Sequence, residues 1–139
     1  MDKTKIVTGL VIVAVIAALT GAVVFFKPKT NTTNATNKSN VSYKDGVYTE
    51  DGNYVSPGGP ESITVKVILR GGKIVDSNVI SNAQLPNSQI FQGKFISGYK
   101  EFVTGKNIDE INLTHISGSS LTPKGFNDAI EKIKADAKS

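Results

Sequence analysis

The chain has 139 residues, a formal net charge of +4 and no cysteine. Without cysteine it can form no disulfide, thiolate metal site, iron–sulfur cluster or cysteine-nucleophile centre. Five lysines and Asp2 give the first 42 residues the whole net charge, whereas residues 43–139 carry eleven positive and eleven negative side chains. The basic balance therefore does not indicate a nucleic-acid partner, and none is expected.

After a short N-terminal tail of residues 1–5, residues 6–26 form 21 consecutive uncharged positions rich in Val, Ile, Ala and Leu. About 20 such residues are enough to cross a bilayer as a helix. A signal peptide is the competing interpretation, but its apolar region usually spans only about 7–15 residues. The pattern therefore predicts an uncleaved transmembrane helix whose partner is the lipid bilayer. Lysines flank it on both sides, so charge alone does not set its orientation.

Residues 27–42 are rich in Asn and Thr, with too little apolar surface to form a packed structure. They are predicted to be a flexible linker. The remaining residues, 43–139, are sufficient for one small domain with a single core.

The domain is predicted to begin with two short strands, 46–49 and 53–56, on either side of Glu50-Asp51-Gly52. A tight Pro57-Gly58-Gly59-Pro60 loop follows, interpreted as a turn rather than a pocket wall. Residues 63–70 then alternate apolar and polar side chains, as a half-buried strand does. Gly71-Gly72 and an apolar return over residues 73–81 predict a β-hairpin.

Two helices are predicted to follow. The first runs from about residue 89 to 103 and ends at Gly105, with an aromatic stripe expected in the core; the stripe is Phe91, Phe95, Tyr99 and Phe102. Ile108, Ile111 and Leu113 lead to the last helix, whose apolar stripe is Phe126, Ala129, Ile130, Ile133 and Ala137. The predicted fold class is α+β, with a small antiparallel sheet packed against two helices.

The candidate site is the hydroxyl-rich loop before the last helix. Thr122 is predicted to be the helix N-cap and Pro123 the first helical residue. Free N–H groups at the helix start, together with the nearby hydroxyls, would favour a phosphate. The alternative is a Ser/Gly turn that binds nothing. His115 has no Asp, Cys or second His at ligand spacing, so a structural role is favoured over a metal site or acid–base chemistry.

The order of these features resembles a known family. This is the small FMN-binding domain of membrane-anchored bacterial redox proteins and of the flavin-carrying subunits of sodium-pumping quinone reductase and Rnf complexes. The resemblance covers most of residues 43–139. It lies in the opening 43–49, in the strand, glycine turn and strand of 63–79, and in the loop and helix of 116–129.

The resemblance implies FMN as cofactor, often carried on a closing Thr or Ser through a phosphoester that a flavin transferase installs from FAD. Ser117 and Gly118 match the Ser-Gly of the family motif, and Ser119 replaces the usual Ala. Ser120 stands at the flavinylated hydroxyl. Thr114 stands where the family usually has Asp. The implied cofactor-binding residues are Ser117, Gly118, Ser119, Ser120 and Thr122, holding FMN covalently or noncovalently.

The functional hypothesis is a single-pass cell-membrane protein that displays an FMN-binding domain outside the cytoplasm. It would work as an electron carrier rather than as a stand-alone enzyme, between a membrane dehydrogenase or quinone pool and an extracellular acceptor. Two alternatives stay open at this point. One is a flavin-free surface module that binds a peptide, a glycan or a neighbouring cell, and the other is a flavin-using reductase with its own small substrate.

Overall fold

The computed structural model of the protein describes residues 41–139. The predicted tail (1–5), the predicted transmembrane helix (6–26) and all but the end of the predicted linker (27–42) lie outside the described residues. Within residues 41–139, no helix is both long and apolar enough to cross a membrane.

Three antiparallel strands form the sheet in the order β1-β2-β3, namely β1 (Gly46–Ser56), β2 (Gly59–Arg70) and β3 (Lys73–Ser81). The prediction of two short strands before residue 57 is wrong, because β1 is continuous. It pairs with β2 from Gly46↔Leu69 to Ser56↔Gly59, and this ladder keeps the intervening polar residues extended. The turn contracts to Pro57-Gly58, because Gly59 and Pro60 already belong to β2.

The predicted hairpin is confirmed by β2 and β3. Gly71 and Gly72 both have positive φ, +55° and +74°, as a tight hairpin turn requires. Four side chains of β2 point into the core and are fully buried: Ile63, Val65, Val67 and Leu69.

The helical part comprises α1 (Pro86–Gly98), α2 (Lys100–Val103), a short 3₁₀ helix (Ile108–Glu110) and α3 (Thr122–Ala137). The prediction of one helix over 89–103 is wrong at its start and in its continuity, whereas its end at Val103 is confirmed. The helix begins earlier, at Pro86, which fits the first helical position because it needs no N–H partner. It also divides at Tyr99, where the N–H of Phe102 donates to the Tyr99 carbonyl three residues back.

The core lies between the sheet and the helices α1 and α3. The predicted apolar stripe of α3 is confirmed, since all five of its side chains are fully buried. Phe95, Tyr99 and Phe126 pack together in the centre with ring centroids 5.3–5.6 Å apart; Phe95 and Tyr99 are stacked, and Phe126 is tilted against both. Phe91 and Phe102 were expected in the core but are 46% and 49% exposed. Each lies one residue from the buried face of its helix, about 100° around the axis.

Two glycines set the position of α3 on β1. A Cβ added to Gly52 would overlap the carbonyl oxygen of Gly125, and one added to Gly125 would lie 2.7 Å from Cδ1 of Tyr54. The N–H of Asn53 donates to Oδ2 of Asp128 at 2.9 Å, and this bond, followed by Lys132, lowers the pKa of the Asp128 carboxyl. The first turn of α3 is thereby held beside Tyr54.

Candidate functional site

A cavity of about 590 Å³ opens where three segments meet: the β1–β2 turn, the start of α1 and the loop before α3. Its surface is mainly apolar, and Leu85, Phe91 and Leu121 supply much of that character. Tyr54, at the end of β1, also lines it. The residues that line it carry no charged side chain, so any charge on a ligand must be met by hydroxyls and backbone groups.

The predicted loop contributes directly to this cavity. Gly118, Ser119, Ser120 and Thr122 all line it, whereas Ser117 does not. Ser117 and Gly118 form a tight turn with φ of +49° and +84°, closed by the N–H of Ser119 on the Ile116 carbonyl at 2.8 Å and by the reciprocal bond at 2.9 Å. The structure therefore brings four of the five predicted residues to one site.

Ser117 has a different position. A Cβ added to Gly98 in α1 would overlap Oγ of Ser117, so this side chain lies against α1. Its contribution to the site is the backbone turn that presents the next residues, and its hydroxyl takes no part in lining the cavity.

The prediction that Thr122 caps α3 is wrong. The helix begins at Thr122, and the N-cap residue is Leu121, which makes no side-chain capping bond. A residue whose side chain caps a helix has extended backbone angles. Thr122 already lies inside the helix, and even Leu121 before it has helical angles, φ −97° and ψ −41°. Pro123 is accordingly the second helical residue. The start of α3 faces the cavity without a capping side chain.

Two hydroxyls at the site have no partner. Oγ of Ser119 and Oγ1 of Thr122 are buried and make no hydrogen bond within residues 41–139. Both residues are about 1% exposed. A buried, unpaired polar group costs about 1–3 kcal/mol, so such groups are uncommon in folded proteins unless a ligand or another acceptor engages them. Ser120, between them in the chain, is exposed and lines the same cavity.

On the α1 side of the cavity, by contrast, the buried side chains Ser88 and Gln92 both have hydrogen-bond partners. Oγ of Ser88 donates to Oε1 of Glu61 at 2.6 Å. Gln92, which is completely buried, donates from Nε2 to the hydroxyl oxygen of Tyr54 at 2.8 Å. Nζ of Lys94 lies 5.3 Å from the centroid of the Phe91 ring, so a cation stands beside the aromatic wall.

Sequence reasoning missed the walls formed by Tyr54 and by the start of α1. One available signal was Pro86, which marks an earlier helix start than the apolar spacing indicates. The Pro57-Gly58 turn, for which a tight turn was favoured over a pocket wall, also borders the cavity.

Residues 41–139 contain no group of three or more His, Asp or Glu side chains that could hold a metal ion. His115 and Thr114 are both exposed, and neither lines the cavity. Asn127 fixes the backbone just before Thr114. Its Oδ1 accepts from the N–H of Leu113 at 2.9 Å, and its Nδ2 donates to the Leu113 carbonyl at 2.8 Å.

Comparisons of the chain with protein-family models, with curated proteins and with solved structures find no match. The function is therefore inferred from the cavity and from the residues around it.

Proposed function

We propose that the protein binds FMN in this cavity and works as an extracytoplasmic electron carrier, anchored in the cell membrane by residues 6–26. The observation that carries the proposal is the cavity itself, because it joins a helix start suited to phosphate with an apolar wall suited to a planar ring. Its volume, about 590 Å³, falls within the range of roughly 300–1,000 Å³ usual for small-molecule and cofactor sites.

Different residues of the cavity would bind the phosphate and the ring of FMN. The hydroxyls of Ser119 and Thr122, unpaired at present, would donate to phosphate oxygens, and the start of α3 adds the positive end of its dipole. Leu85 and Phe91 offer an apolar and aromatic surface for the ring. Bound FMN would supply the redox chemistry, so an electron carrier of this kind requires no catalytic acid or base from the chain.

The attachment can be covalent or noncovalent. Ser120 is exposed at the cavity and therefore accessible to a flavin transferase. In the covalent form its Oγ would bond to the FMN phosphorus of FAD, AMP would leave, and the hydroxyl proton would pass to solvent. In the noncovalent form the same hydroxyl would donate to the phosphate.

A ligand titration tests the proposal. The full chain, purified in detergent, is titrated with FMN and with riboflavin, which lacks the phosphate, while flavin fluorescence is followed. We expect FMN to bind at least about tenfold more tightly, the effect of one charge-assisted hydrogen bond or more. Ser119→Ala should remove much of that preference. Ser97→Ala serves as the matched control, because its hydroxyl is exposed on α1 and bonded to the Lys94 carbonyl.

Coexpression with a flavin transferase tests covalent attachment. The chain should gain the mass of one FMN and remain fluorescent on a denaturing gel, and Ser120→Ala should abolish both signals. Thr114→Asp should raise the modified fraction if the transferase reads an acidic residue there. If wild type and Thr114→Asp both fail to bind FMN in either form, the electron-carrier proposal is wrong and the flavin-free surface module replaces it.

Protease treatment tests the location. Protease added to intact cells should remove residues 43–139 if they lie outside the cytoplasm. Complete protection, with cleavage only after lysis, would reverse the assignment.

A further inference from the structure

The buried amide of Gln92 controls the hydroxyl of Tyr54. Its Nε2 donates to the carbonyl oxygen of Ser62 at 3.1 Å and to the hydroxyl oxygen of Tyr54 at 2.8 Å. A carbonyl can only accept, so the contact with Ser62 establishes which end of the amide carries the hydrogens. Oγ of Ser81 donates to Oε1 at 2.6 Å and satisfies the opposite end.

This arrangement leaves one proton unused. Both hydrogens of Nε2 are engaged, so Tyr54 must accept from Gln92 and must direct its own O–H elsewhere. Within residues 41–139, the Tyr54 hydroxyl donates to no acceptor. Tyr54 is only 8% exposed, and it lines the cavity.

The hydroxyl belongs to the α1 side of the cavity, because its fixed partner, Gln92, is the residue after Phe91 on that helix. Tyr54 lies opposite Glu61 in the β1–β2 register, but within residues 41–139 the Glu61 carboxylate accepts from Ser88 and not from Tyr54. The loop hydroxyls of Ser119 and Thr122 enter the cavity from a different segment. A ligand that spanned both walls would meet these two sets of donors with different parts of its structure.

We propose that Tyr54 donates a hydrogen bond to an acceptor atom of the flavin ring, and that Gln92 is the positioning residue that keeps Tyr54 a donor. The assignment rests on the proposed function. The isoalloxazine ring carries carbonyl oxygens and unprotonated nitrogens, which accept hydrogen bonds. Phe91 and Leu85, on the same side of the cavity, provide the apolar surface that such a ring requires.

Tyr54→Phe tests the donor, because it removes the hydroxyl and keeps the ring that packs near Gly125. The full chain in detergent is titrated with FMN and with riboflavin, which share the ring. We expect affinity for both to fall by the same factor, about fivefold to tenfold for one neutral hydrogen bond. The visible absorption of the bound flavin should also shift. Tyr48→Phe is the matched control, because its hydroxyl bonds the Lys44 carbonyl far from the cavity.

Gln92→Glu tests the positioning role. The introduced carboxylate can accept the Tyr54 proton but cannot donate to Tyr54, so the free donor is consumed. Affinity should fall about as far as in Tyr54→Phe, and the double variant should show no further loss. Additive losses would mean that Gln92 acts on the site by another route. Should Gln92→Glu fail to fold, the Tyr54→Phe titration still decides the donor assignment.

The outcomes separate this assignment from the proposed function. If Tyr54→Phe leaves both affinities unchanged, the assignment is wrong while the proposed function stands. If only FMN binding weakens, Tyr54 serves the phosphate and the ring assignment is wrong. If wild type binds neither flavin, the proposed function falls and this assignment falls with it.

Discussion

The two ends of the β1–α3 layer are built differently. At one end, called here the paired end, the chain enters β1 and leaves α3, and residues 42–44 are hydrogen-bonded to residues 137–139. The N–H of Lys44 donates to the Ala137 carbonyl at 2.8 Å, and Tyr43 donates to Asp109 at 2.5 Å. At the other end, called the cavity end, Ser119 and Thr122 keep buried hydroxyls without partners.

This difference separates stability from function. Groups at the paired end make their bonds within the protein, so removing one should only destabilise the fold. At the cavity end, the buried hydroxyls of Ser119 and Thr122 make no hydrogen bond, which lowers the stability of the fold, as groups in binding sites commonly do. Substitutions there should move stability and ligand affinity in opposite directions.

The largest expected change in stability comes from a substitution midway between the paired end and the cavity end. Gly52→Ala places a methyl group on the Gly125 carbonyl and forces α3 away from β1, which should cost about 3 kcal/mol. Urea unfolding of the full chain in detergent measures the change. Gly93→Ala is the control, because no atom lies within 4 Å of the added methyl. It should stabilise α1 by up to about 1 kcal/mol. Equal effects of the two substitutions would mean that the layers do not meet at Gly52.

The next effect belongs to the paired end. Tyr43→Phe removes a hydrogen bond to a carboxylate and should cost about 2 kcal/mol at neutral pH without altering FMN affinity. Burial, followed by the bond to Asp109, raises the pKa of Tyr43 to about 12. Because the pKa of Tyr43 is raised from 10.0 in the folded protein, the stability that its hydroxyl contributes is fully present below pH 10 and is lost as the pH rises through about 12.

The free energies of unfolding of wild type and Tyr43→Phe should therefore converge as the pH rises from 10 to 12. A stability gap that stayed constant over this interval would show that the hydroxyl is not bonded as described.

The cavity end should respond in the opposite sense. Thr122→Val keeps the shape of the side chain and removes an unpaired buried hydroxyl, so it should stabilise the free protein by about 1 kcal/mol while weakening FMN binding. Thermal unfolding and flavin titration measure the two quantities. Thr104→Val is the control, since its hydroxyl is exposed and bonded to the Lys100 carbonyl. A destabilising Thr122→Val would restore the capping role that the sequence predicts.

The smallest effect concerns the turn. Ser117 adopts φ of +49°, a conformation that glycine adopts more readily, so Ser117→Gly should stabilise by about 0.5 kcal/mol. Ser97→Gly, in the last turn of α1, should instead cost about 0.5 kcal/mol. Chemical denaturation of both variants gives the sign, and a loss of stability in Ser117→Gly would contradict the turn geometry.

The fold was predictable where buried side chains recur at a regular spacing along the chain. The alternation over 63–70 and the stripe of α3 follow directly from one-sided packing, and both are confirmed. The single strand β1 was not predictable, because Glu50-Asp51-Gly52 carries a turn-like composition that pairing with β2 overrides.

The site was predictable only in part, because one of its walls is local and the others are assembled by the fold. The hydroxyl loop can be recognised within eight residues of sequence. Tyr54 and Phe91 reach the same cavity from segments more than 30 residues apart, and no short-range pattern connects them. The capping error has a local origin, since Leu121 adopts helical angles where Thr122 was expected to act as a cap.

The direction of β1 has a consequence for encounters with other molecules. The strand starts beside the point where the preceding chain joins the domain and ends at the cavity. Eleven residues at a rise of about 3.3 Å place these two points on opposite poles, roughly 35 Å apart. Within residues 41–139, a molecule that enters the cavity therefore approaches the domain at the end of β1 farthest from residues 42–44.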